Sequence, residues 1–210
     1  MKRVDNKEFL WYSLYSFAGF GLEILLLMIE NIFIKEQTTF TTCFHWGLTA
    51  ILWGTISFIL YKNSKSKLNF DLVNNNCVGK RNIFFSLVMI IIFLIAKCCF
   101  FNSIKSIDEF NNLGIIKFIF QYIYYLFETI LILFTISFGQ RFFEGISKNK
   151  IIPYGGLVLA FTWGLMHILT QNMATGIFAF ASAILYGIVY LLLNKNTKYS
   201  FIGILLMFSL

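Results

Sequence analysis

The nine residues LVMIIIFLI, Leu87–Ile95, carry no polar side chain on any face. A helix that is apolar all round lies in a large core or in lipid. Five more runs of similar character flank it, so that the chain reads as Phe9–Ile29, Phe40–Tyr61, Ile83–Phe101, Ile115–Phe138, Ile151–Leu169 and Ala174–Leu193. Each approaches the roughly 20 apolar residues that cross a ~30 Å hydrocarbon core. Hydrophobic residues make up 58% of the chain and charged ones 13%, too few polar groups to cover a water-soluble surface. Backbone groups in lipid must bond internally, so the runs predict helices. A membrane barrel would alternate polar and apolar residues, and Leu87–Ile95 does not.

The expected fold is therefore all-α: a polytopic transmembrane helical bundle in one domain, 1–210. It has six full spans and a short seventh helix over Tyr199–Leu210. That last run gives about 18 Å of helix, short of the bilayer core. The polar stretch 62–82 reads as a flexible cytoplasmic loop. The start of the chain is basic and then apolar, like a signal peptide. The run is too long, contains Glu23 and ends at Glu30–Asn31 without a small-residue cleavage site, so it reads as the first span.

Charge sorts by loop. Lys2, Arg3 and Lys7 precede the first span. Lys62, Lys65, Lys67, Lys80 and Arg81 lie in the second loop, Arg141, Lys148 and Lys150 in the fourth, and Lys195 and Lys198 in the sixth. The first and third loops hold only Lys35 and Lys105. The positive-inside rule predicts a multi-pass protein of the cell membrane with a cytoplasmic N-terminus. Lys97 and Lys117 lie within spans near the sparse side and are expected to snorkel to it. The topology accounts for the net charge of +7, and no basic-aromatic interleaving suggests nucleic acid as a partner. Membrane lipids are the expected partners. The four cysteines form no CxxC motif, so neither a zinc ribbon nor a disulfide framework is indicated.

Small residues recur at four-residue spacing: Ala179, Ala183 and Gly187; Ala50 and Gly54; Ala160 and Gly164. Such rows let helix backbones approach closely. Trp46, Trp53 and Trp163 are deep enough in their spans to pack between helices.

Four ionisable groups need a reason to be in the membrane, where a charged side chain costs on the order of 3 kcal/mol. They are Glu23, His45, Glu128 and His167. Folding the first two spans as a hairpin brings Glu23 to His45, and folding the fourth on the fifth brings Glu128 to His167. The expectation is one polar site in the outer half of the bundle. It is either an acid–base or metal site, with His167 and His45 as ligands of a divalent ion such as zinc, or interhelical glue. No HExxH or other close metal-ligand spacing accompanies them.

Three motifs toward the C-terminus carry a family resemblance. They are GQRFFEG (Gly139–Gly145), WGLMH (Trp163–His167) and GIVY (Gly187–Tyr190). Together they resemble the C-terminal half of the CAAX-processing and bacteriocin-immunity family of intramembrane endopeptidases. The resemblance implies a helical bundle that acts on hydrophobic or lipid-modified peptides within or near the bilayer. Its paired glutamates correspond here to Gly139 and Gln140, its arginine to Glu144, and its second histidine to Met207. A glutamine cannot take a proton as a base does. The candidate catalytic residues are then His167, Glu128, Glu144 and Gln140, with activity weakened or lost and peptide binding retained. The alternative is a small permease-type transport subunit, suggested by Gly19 and Gly21 beside Glu23.

Overall fold

The computed structural model describes residues 5–34 and 36–210. Among the described residues there is no strand, and seven helices account for most of the chain. They are α1 (Lys7–Phe33), α2 (Thr39–Lys67), α3 (Lys80–Phe101), α4 (Lys105–Ser147), α5 (Tyr154–Thr170), α6 (Met173–Leu192) and α7 (Thr197–Ser209). Five of them, α1, α2, α3, α4 and α6, are long and apolar enough to cross a membrane. The all-α bundle of seven helices is as expected. The fifth run forms α5, about 26 Å long, which begins after Pro153 and passes through a π-helical segment at Ala160–Gly164. Helix α7 is short, as expected.

Helix starts follow local chemistry. Thr38 and Thr41 form a reciprocal capping box at α2. Asn172 and Asn196 accept from the backbone N–H groups of Thr175 and Tyr199 at the starts of α6 and α7. These side chains satisfy N–H groups that a helix leaves without partners.

Helix α4 is the axis of the bundle and touches α1, α2, α5 and α7. Its buried Leu131, Ile132, Ile136 and Phe138 face both halves of the core. One half joins Phe9, Tyr12, Leu60, Phe134 and Phe138 of α1, α2 and α4. The other joins Ile90, Ile132, Trp163, Ala183, Tyr186 and Ile204 of α3 to α7. Helix α3 stands at the edge. It buries Ile90 and Phe93 but exposes Leu87, Ile91, Ile92 and Ile95, the arrangement expected of a lipid-facing helix. The rows of α5 and α6 act between those two helices, where a Cβ on Gly187 would lie 2.6 Å from the Cα of Gly156, and Gly54 of α2 faces Phe127 of α4.

Two features depart from the sequence reading. The stretch 62–82 is helical at both ends, and its middle is fastened rather than loose. Leu68 and Leu72 are buried, Asn74 and Thr197 exchange hydrogen bonds, and Asn76 and Cys77 bond to the Asn194–Asn196 turn. The fourth run is extended by a further helical arm. Gly114, at φ 72° and ψ 169°, reverses the chain inside α4. Residues 105–113 consequently fold back along 115–125, and Phe110 packs edge-on against Phe118.

Candidate functional site

Bonds among the chain reversals define one end of the bundle, here termed the basic end. Asn6 donates to the carbonyl of Phe142, and the Asn74–Thr197 pair joins α7 to the α2–α3 link. The carboxylates and histidines of the first expected site gather toward the far end.

Glu23 and Glu30 lie two helical turns apart on one face of α1. The imidazole of His45, from α2, sits between them. Its Nδ1 is 2.7 Å from Glu30 Oε2, and its Nε2 is 3.5 Å from Glu23 Oε1. The expected Glu23–His45 pair is thus brought together, with Glu30 as a third member. Sequence reading had placed Glu30 at the end of the first span. The signal that could have found it is its seven-residue spacing from Glu23. The hydroxyl of Tyr124, on α4, donates to Glu23 at 2.9 Å from each carboxylate oxygen. The Tyr124 ring lies 4.6 Å from that of Trp53, whose indole N–H donates to the carbonyl of Gly19.

Glu128 stands one turn beyond Tyr124 on the same face of α4. It does not bond His167 directly. The Trp163 indole donates to Glu128 Oε1 at 3.1 Å, and His167 Nδ1 lies 2.8 Å from the Trp163 carbonyl. A carbonyl only accepts, so Nδ1 carries the proton. Trp163 therefore links the second expected pair, a role that its apolar ring concealed in the sequence. The resulting cluster crosses α1, α2, α4 and α5.

The folded-back arm adds a third group. Tyr125 donates to Glu109 at 2.6 Å, and Lys105 lies 3.8 Å from Glu109 and 4.3 Å over the Tyr125 ring. Lys97 does not snorkel outward. It is 6% exposed and donates to the carbonyls of Met207 and Phe208. Lys105 donates to Phe208 and Tyr122 to Ser209. These donors satisfy the last carbonyls of α7, where a helix end attracts cations.

Gln140 and Glu144 lie elsewhere. They stand roughly 18 and 24 Å beyond Glu128 along α4, at the basic end. Gln140 donates to Glu144 and to the carbonyl of Ile152, and accepts from the N–H of Gly155. Glu144 binds Lys195 at 2.6 Å through both oxygens. Gln140 holds the turn into α5 and Glu144 the turn between α6 and α7, and neither shares a site with His167.

Zinc does not fit the histidines. His45 engages Glu23 and Glu30 through opposite ring nitrogens, so the donors do not converge on one point. Among the described residues no group of three or more His, Cys, Asp or Glu side chains could hold a metal ion.

A second concave feature lies between α4 and α7. It is an apolar groove of about 440 Å³ walled by Ile130, Leu133, Phe134, Phe201 and Ile202, with Asn75, Thr197 and Lys198 among its lining. Comparison with protein-family models, curated proteins and solved structures gives no match to the chain.

Proposed function

We propose that this protein is a divergent, non-hydrolytic relative of the CAAX-processing and bacteriocin-immunity endopeptidases that binds a hydrophobic or lipid-modified peptide. It does so in the cell membrane, with its basic end in the cytoplasm. The observation that carries the reading is the α4–α7 groove, which has almost wholly apolar walls and counts Lys198 among its lining residues. Its volume falls within the range of about 300–1,000 Å³ typical of ligand pockets. A lipid chain would lie along Phe134, Phe201 and Ile202, and a peptide carboxylate would meet Lys198. Glu128 is engaged by the Trp163 indole, and what further supports a non-hydrolytic reading is the engagement of Gln140 by the turn at 152–155 and of Glu144 by Lys195. Neither Gln140 nor Glu144 is free to activate water near His167.

The test is titration of a fluorescent prenylated peptide with a free carboxylate into the purified protein in nanodiscs. Saturable binding is expected, weakened at least tenfold by Ile202→Trp, which fills the groove, and several-fold by Lys198→Gln. The peptide should remain intact by mass spectrometry. Binding that ignores both substitutions, or cleavage of the peptide, would overturn the reading.

The transport alternative has a specific observation in its favour. The π-helical segment at Ala160–Gly164 widens α5 beside the Glu128–Trp163 bond, and such π-bulges are frequent at functional sites. Flux of a solute through vesicles carrying the protein, lost on Glu128→Ala, would favour that reading over the first.

A further inference from the structure

The contacts of His45 set a proton count. A ring nitrogen facing a carboxylate oxygen needs a hydrogen between them, because two lone pairs repel. The 2.7 Å contact to Glu30 is a hydrogen bond, and Glu23 lies at ion-pair distance, 3.5 Å, from the other ring nitrogen, whereas a neutral imidazole supplies one N–H. The Tyr124 hydroxyl donates to Glu23 and does not supply the missing hydrogen. Two carboxylates flanking the ring at these distances favour a second ring proton, one beyond a neutral imidazole and two carboxylates.

A second observation agrees. Oε1 of Glu30 is fully buried with no hydrogen-bond partner. A full negative charge on Glu30 would leave that oxygen unsolvated, which is unfavourable in an apolar surround. A positive charge on the His45 ring, 2.7 Å from the same carboxylate, offsets it.

We propose that Glu23, His45 and Glu30 form a proton-binding site that takes up one proton per chain and uses it to fasten α2 to α1. The titratable neighbours are Glu23 and Glu30 on α1 and, on α4, Tyr124 with Glu128 on the next turn. Release of the proton to water leaves one N–H on the ring. The short contact to Glu30 keeps it, and the longer contact to Glu23 is lost. Glu23 is then held by Tyr124 alone, so its tie moves from α2 to α4. Neither the peptide-binding nor the transport reading is required for this.

Nitrogen NMR of the full chain labelled at histidine, in nanodiscs at pH 7.5, tests the site, with His167→Gln assigning the two rings. Both His45 nitrogens are expected to carry hydrogen. In Glu23→Gln/Glu30→Gln, one should become an unprotonated, pyridine-type nitrogen. A pyridine-type signal from His45 in the unsubstituted protein at pH 7.5 would refute the proposal, as would identical spectra for the two proteins. The unsubstituted spectrum decides the matter even where the double variant does not fold.

Discussion

Tyr125 donates a 2.6 Å hydrogen bond to Glu109, a residue of its own helix that would stand roughly 24 Å away if α4 were straight. The bond exists because Gly114 turns the chain back. At φ 72° and ψ 169° its backbone lies in a region open essentially to glycine alone. A Cβ there would meet no atom within 4 Å, so the obstacle is backbone conformation, not space. Gly114→Ala is expected to destabilise the arm by about 1–3 kcal/mol. Thermal unfolding in detergent should show the loss, and Tyr125→Phe should weigh less in the Gly114→Ala background than alone. Additive effects of the two would mean that the arm and the bond are independent.

Glu144 and Lys195 form a tight ion pair at the basic end. Breaking a fully buried pair costs roughly 3–5 kcal/mol. The Glu144 side chain is 6% exposed and that of Lys195 26%, so Lys195→Ala should cost about 2 kcal/mol. Chemical denaturation measures this. Glu144→Gln/Lys195→Gln should recover part of the loss, because no unpaired carboxylate remains. A fully stable Lys195→Ala protein would show that water already screens the pair.

The α5–α6 contact rests on glycine. A side chain on Gly187 would enter the backbone of Gly156, and one on Gly156 would lie 2.8 Å from the carbonyl oxygen of Ala183. Gly187→Val should destabilise by at least the 1–3 kcal/mol or so of an overpacked core. Gly21→Val, with open space around its Cβ, is the control and should change little. Equal effects would remove close packing as the cause.

Cys77 is exposed at the basic end, in the segment that links α2 to α3. With Cys43, Cys98 and Cys99 replaced by Ala, a membrane-impermeant maleimide should leave Cys77 unlabelled in intact cells and label it after permeabilisation. Labelling in intact cells would invert the proposed topology.

Much of the bundle is readable in Leu87–Ile95 and its companions. Apolar length and internal hydrogen bonding demand helices wherever the chain meets lipid. The pairing of Glu23 with His45 is also readable, because neighbouring spans joined by a short link must run antiparallel and stranded polar groups seek partners. Other features depend on contacts between residues remote in sequence, which no local pattern encodes. The fold-back at Gly114 appears as one glycine among fourteen. The seating of Lys97 on the carbonyls of α7 requires two helices to meet end against side. The separation of Gln140 and Glu144 from His167 follows from the rise of α4, which carries them to the opposite end of the bundle. Composition and periodicity determined that these helices form; the packing around α4 decided which polar groups share a site.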